Sequence, residues 1–191
     1  MSSDTPTSPA EFLVISSSLH PTSRSRMLAQ VAFERLQEYS QAQAARVAWV
    51  DLAQLPLPLC DGQTAYSDPN VGPLAAQIRG ARGILIATPI YNFDVNAALK
   101  NVVELTSRAW QDKVVGLLCA AGGGGSYMSL MPFANSLMLD FRCLILPRFV
   151  YATGNAFTAD GVQDAEVLCR IDQLAQRLVD VALAVPPPAN P

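Results

Sequence analysis

The chain has a single histidine, His20, and that scarcity removes more chemistry than any other feature of the sequence. No two-histidine metal site can form, and a nucleophile–histidine pair would have to use that one residue. Four cysteines (Cys60, Cys119, Cys143 and Cys169) are scattered without a CxxC pair. Their spacing argues against a zinc site or a disulfide framework. Cys119 and Cys143 fall inside apolar, strand-like stretches, where cysteine acts as a small buried hydrophobe. Charge is scarce too, at 15% of residues with a formal net charge of −3. No electrostatic case therefore exists for nucleic acid or an acidic membrane surface as partner. The longest apolar runs, such as GILIATPI and VVGLLCAA, are strand-length and far too short to span a membrane as a helix. The first residues, MSSDTPTSPAE, carry neither a basic n-region nor a long apolar core. A cytoplasmic protein without membrane insertion is expected.

A chain of 191 residues, half of them hydrophobic, fits one domain with a sizeable core. Residues 1–10 and 185–191 are polar or proline-rich and read as tails around a domain at 11–184. Within it, short apolar runs alternate with helical patterns. Strands are predicted at 12–16, 45–52, 82–89, 113–121 and 143–147. Helices are predicted at 24–39, 73–79, 96–108, up to about 140, and 164–183, with 94–100 read as a helix-starting segment. This alternation implies right-handed crossovers and an α/β, doubly wound, five-stranded parallel sheet with helices on both faces. In the flavodoxin-like order 2-1-3-4-5, the loops after strands one, three and four converge at the carboxyl edge, where such sheets bind ligands.

All three loops have unusual sequences. SSSLHPTSRS (16–25) offers the hydroxyls of Ser16, Ser17, Ser18, Thr22, Ser23 and Ser25, with Arg24 and then Arg26. Backbone amides at the start of the next helix add positive potential, a combination suited to a phosphate monoester. An N-cap by Ser23 or Ser25 accounts for part of the same stretch. The dinucleotide fingerprint GxGxxG and the triphosphate loop GxxxxGK[ST] are both absent. PIYNFDVN (89–96) places Tyr91 and Phe93 just past a buried strand, as a stacking surface or as residues packed within the loop. AAGGGGSY (120–127) contains four consecutive glycines, a costly run to order unless a flat ligand approaches the backbone.

In this order and spacing the loops resemble the NADPH-dependent FMN reductase family of flavodoxin-like proteins, whose loops take the forms GSxRxxSxS, PxYNxxxxxxLKNxxD and TGG. The matching segments are SSLHPTSRS (17–25), PIYNFDVNAALKNVVE (89–104) and AGGGG (121–125), within a likeness covering residues 11–183. The resemblance implies an FMN phosphate held by Ser16, Ser18, His20, Ser23, Arg24 and Ser25. It implies an isoalloxazine ring bordered by Pro89, Ile90, Tyr91, Asn92 and Phe93, with Gly122, Gly123 and Gly124 along its pyrimidine side. It also implies a homodimer or homotetramer with the 96–108 helix at an interface. Three positions depart from the pattern: Ser17 stands for glycine, His20 for arginine, and Ile90 for a frequent acidic residue. A flavin also explains the missing side-chain machinery. Hydride passes from the nicotinamide of NADPH or NADH to flavin N5 by stacking and orientation alone. The expected activity is that of an NAD(P)H-dependent FMN reductase feeding free flavin, a quinone, a metal ion or an azo compound. Two rivals share the fold: an electron carrier without direct NAD(P)H oxidation, and a flavin-free interaction protein.

Overall fold

A computed structural model describes residues 11–185. The tails read from the sequence at 1–10 and 185–191 lie outside the described residues, apart from Val185. In chain order the elements are β1 (Phe12–Ser16), α1 (Arg24–Gln41), β2 (Val47–Asp51), α2 (Val71–Gly80), β3 (Gly83–Tyr91), β4 (Asp94–Val95) and α3 (Ala97–Thr106). They continue with β5 (Val114–Ala120), α4 (Met131–Phe141), β6 (Leu144–Ile145), β7 (Val150–Ala152) and α5 (Ala165–Ala184). The sheet runs β2-β1-β3-β5-β6, and β7 joins β5 beyond β6. Every pairing in it is parallel except that of β4 with β3. This is the flavodoxin-like order expected from the sequence.

Strand alternation divides the interior in two. Leu13, Ile15, Ile84, Ile86, Val115 and Leu117 point to one face, under α2, α3 and α4. Phe12, Val14, Leu85, Ala87, Val114 and Leu118 point to the other, under α1 and α5. Both faces are covered, so β1, the first seven residues of β3 and all of β5 are buried. Such strands read as continuous apolar runs rather than as alternating ones. Cys119 lies in β5, where burial pushes its thiol up to about 12. Cys143, just before β6, is pushed up to about 11 by the same effect. No described helix is long and apolar enough to cross a membrane.

Two sequence expectations need correction. The strand at 143–147 is two short pieces, Leu144–Ile145 and Val150–Ala152, flanking a break at Pro147 and Arg148. Pro147 has no N–H for the ladder, and Arg148 adopts a left-handed φ of 64°. The helix-starting segment at 94–100 begins instead as a strand: Asp94 and Val95 fold back on Tyr91 and Ile90. The helix starts only at Ala97.

Gly116 governs how closely α5 sits on the sheet. A Cβ there would lie 2.7 Å from Leu85 Cδ2 and 3.1 Å from Leu174 Cδ1. Gly116→Ala is expected to cost about 1–3 kcal/mol by overpacking, measured as a lower thermal midpoint. An unchanged midpoint would mean that α5 moves away without cost.

Candidate active site

Parallel register aligns the ends of three neighbouring strands. Ser16 lies beside Ala87, Ala87 beside Leu118, and Pro89 beside Ala120. The 16–25 loop, the 89–96 segment and the 121–127 glycine stretch therefore leave the sheet side by side.

The 16–25 loop is organised by its own hydroxyls. Ser23 is the N-cap of α1, its Oγ accepting from the Arg26 N–H at 3.2 Å. Ser23 Oγ and Ser25 Oγ lie 2.9 Å apart. One hydroxyl proton serves that bond, leaving the other to donate elsewhere. Ser18 Oγ accepts from the His20 N–H at 3.2 Å. Ser16, Ser18, Ser23 and Ser25 are buried, whereas His20 is exposed. The Thr22 N–H donates to His20 Nδ1 at 3.2 Å, so the neutral ring carries its proton on Nε2.

The two arginines that follow this loop are both turned toward other parts of the protein or its own backbone. Arg26 Nε and Nη2 bind the Asp51 carboxylate at 2.8 and 3.2 Å, and Nη1 donates to the Pro21 carbonyl at 2.9 Å. Arg24 is exposed; its guanidinium lies 5.8 Å from the Phe157 ring centroid. It also approaches Gly154 so closely that a Cβ there would sit 3.3 Å from Arg24 Nη1. Charge near the loop is thus partly spent within the protein.

The 89–96 segment forms a two-residue hairpin. Asn92 and Phe93 have φ of 51° and 64°, the left-handed pair required by the tight turn between β3 and β4. Asparagine tolerates that region, but a bulky aromatic is held there at a cost. Phe93 is 67% exposed and Tyr91 54% exposed, so neither is a core residue. Ile90 packs against the core instead. Asn101, from the LKN part of the motif, binds the 58–60 turn: its Oδ1 accepts from the Cys60 N–H and its Nδ2 donates to the Pro58 carbonyl, both at 2.8 Å.

The glycine stretch leads into a 3₁₀ segment at Gly124–Leu130. The Tyr151 hydroxyl donates to the Gly123 carbonyl and lies 2.6 Å from Ser126 Oγ. Its ring stacks edge-on against Tyr127 at 5.4 Å. Sequence reasoning missed Tyr151, because nothing local marks a residue of a broken edge strand as the anchor of a loop 28 positions earlier. It also missed Asp51 and Asn96. Only the helix start after Asn96 could have drawn attention to that residue.

The geometry defines a flavodoxin-like α/β protein with three loops gathered at the carboxyl edge of its sheet. The model of the NADPH-dependent FMN reductase family matches residues 10–158. The chain belongs to that family. It is 31% identical over 176 residues to an NADPH:quinone oxidoreductase of Arabidopsis thaliana, covering 90% of this chain and 87% of the relative. It is 29% identical over 191 residues to an FMN-dependent NADH:quinone oxidoreductase of Bordetella petrii, covering 83% and 90%. In fold it is similar to an oxidoreductase of Corynebacterium diphtheriae, with a TM-score of 0.76 at 20% identity, over 94% of this chain and all of the other. Membership makes the protein an oxidoreductase with FMN as flavin and NAD(P)H as electron donor.

Phe93→Gly should relieve the left-handed aromatic at the hairpin tip while giving up little burial. A stabilisation of about 1 kcal/mol, or about 2–4 °C in thermal midpoint, is expected. A lower midpoint would show that the Phe93 side chain contributes packing that outweighs the strain.

Proposed function

We propose that the three loops hold FMN, with its phosphate in the 16–25 loop and its ring between the 89–93 hairpin and Gly122, Gly123 and Gly124. The glycine run carries this reading. None of Gly122 to Gly125 has a left-handed φ, and a Cβ on any of them would meet nothing within 4 Å. Neither backbone conformation nor internal packing therefore asks for glycine, whereas a flat ligand lying on the backbone does.

The 16–25 loop has the donors a phosphate monoester needs. The N–H groups of Arg24 and Ser25 open α1 without an intrahelical acceptor, and the helix dipole adds positive potential. The buried Ser16 hydroxyl has no partner among the described residues, and the Ser23–Ser25 pair keeps one proton to donate. Amides and hydroxyls do most of the work, with Arg24 adding charge from the rim. Bound FMN would accept two electrons from NAD(P)H and deliver them to an acceptor, chemistry that no side chain here supplies. The protein orients the reactants: the exposed faces of Tyr91 and Phe93 shield the ring edge from water and offer a surface for a planar acceptor.

A quinone is the acceptor class this reading favours, in keeping with the names of the relatives in A. thaliana and B. petrii. The exposed Tyr127, Met128, Met131, Met138 and Leu139 on and before α4 support a homodimer or homotetramer. A 530 Å³ groove between the hairpin, α3 and α4, lined by Tyr91, Val95, Lys100, Pro132 and Phe133 among others, adds a surface that a second copy would cover. Dependence on NAD(P)H fits a cytoplasmic setting.

Titration with FMN, followed by NADPH or NADH with a quinone, tests the reading directly. Saturable FMN binding and acceptor-dependent NAD(P)H oxidation are expected. FMN binding without oxidation would assign an electron carrier, and no flavin binding by folded protein would assign an interaction role. Gly123→Ala should leave the ligand-free thermal midpoint unchanged and weaken FMN binding by about tenfold or more, because a methyl group intrudes where the ring lies. Ser25→Ala should weaken FMN binding by about three- to tenfold through the loss of a donor. Unchanged FMN affinity in both variants would refute the residue assignment.

A further inference from the structure

A buried polar bridge ties the first two loops together, and contact with a cofactor does not account for it. Asn96 occupies the N-cap position of α3, with φ −68° and ψ 152°, yet its side chain does not cap the helix. It turns inward to the chain leaving β1. Ser17 Oγ donates to Asn96 Oδ1 at 2.8 Å, and Asn96 Nδ2 donates to the Ser17 carbonyl at 2.7 Å. Thr88 Oγ1 lies 3.2 Å from the same Oδ1 and 3.1 Å from the Pro89 carbonyl, so its single proton is shared between them. Ser17 and Thr88 are 0% exposed and Asn96 6%. The bridge spans 79 positions of sequence and joins the first residue after β1 to the last residue before α3.

Two features set the bridge apart from ordinary core packing. A core gains nothing from a buried amide and hydroxyl that an apolar pair of the same volume would not supply. Asn96 also forgoes the cap that its position makes available, and an N-cap asparagine normally takes it. Ser17, moreover, replaces the glycine of the family's first loop, a residue that has no side chain with which to donate. The two ends of the bond lie at the two segments assigned to opposite ends of FMN.

We propose that Ser17 and Asn96 are positioning residues that set the gap between the phosphate loop and the ring-edge hairpin before the cofactor arrives. The inference rests on the FMN reading above. A ligand anchored at both ends benefits when its two sites are already held at the right separation, because the ordering has occurred during folding. A ligand that touches only one of the segments gains nothing from the bridge. FMN should sense it, and lumiflavin, the ring without ribityl phosphate, should not.

The experiment measures the dissociation constants of FMN and lumiflavin by fluorescence quenching, together with the ligand-free thermal midpoint. The proteins are wild type, Ser17→Ala, Asn96→Asp and Asn96→Ala. Ser17→Ala removes one bond and spares the Asn96 Nδ2 donation. Asn96→Asp preserves shape but sets a carboxylate oxygen against the Ser17 carbonyl. Asn96→Ala removes the whole bridge. FMN affinity should fall by about three- to tenfold in Ser17→Ala and by more than about tenfold in the Asn96 variants, as one or several hydrogen bonds are lost. Lumiflavin affinity should stay within about twofold throughout. Equal losses for both ligands, or a lower midpoint with both affinities intact, would reduce the bridge to a core element. If Asn96→Ala fails to fold, Ser17→Ala and Asn96→Asp decide the matter by the same ratio. Wild-type protein that binds FMN no more tightly than lumiflavin would overturn the phosphate-loop reading, and the positioning role with it. That result is recognisable without any variant.

Discussion

Parallel pairing of β1, β3 and β5 is the constraint on which the rest of this molecule depends. Strands that share one direction must release their following segments at one edge, and a register in which Ser16 meets Ala87 and Pro89 meets Ala120 aligns those exits. The pairing needs both sheet faces covered, which α1 and α5 do on one side and α2, α3 and α4 on the other. Gly116 permits the tight contact with α5. A rigid, doubly covered sheet thus carries three irregular loops whose positions are set by backbone hydrogen bonds far from their own residues.

Departures from local preference gather at that edge. Phe93 sits in a left-handed turn position, Asn96 leaves a helix start uncapped by its side chain, and four glycines follow one another without a conformational need. Proteins tolerate such inconsistencies where function requires them and compensate elsewhere. The compensation here is a set of long-range bonds: Ser17 to Asn96, Tyr151 to the glycine stretch, and Arg26 to Asp51.

The same edge shows a distinctive handling of charge. Arg26 is engaged by Asp51, and Arg24 leans over Phe157. Hydroxyls and the amides of α1 remain as the principal donors, arranged by Ser23 as N-cap. In the proposed phosphate site this would be a directional way to hold an anion, less dependent on net charge than a cluster of cations, in a chain whose overall charge is negative.

Much of this was legible in the sequence, because the relevant signals are local. Continuous apolar runs mark strands buried on both faces, helical spacing marks the crossovers, and their alternation leads to the doubly wound sheet. Serine and glycine clusters directly after strands mark the loops. The signals failed where local pattern and pairing disagreed. CLILP looked like one strand, but Pro147 and Arg148 break it; Asp94 and Val95 looked like the start of a helix, but a tight turn folds them back. By itself, then, the sequence determined the fold class, the family and the three loops, since each is written in residues adjacent along the chain. Only the tertiary structure decided that Ser17 reaches Asn96, that Tyr151 anchors Gly123 and that Asp51 engages Arg26. Those bonds join residues 25 to 79 positions apart, and no periodicity or spacing in the chain records which distant partner a polar side chain will meet.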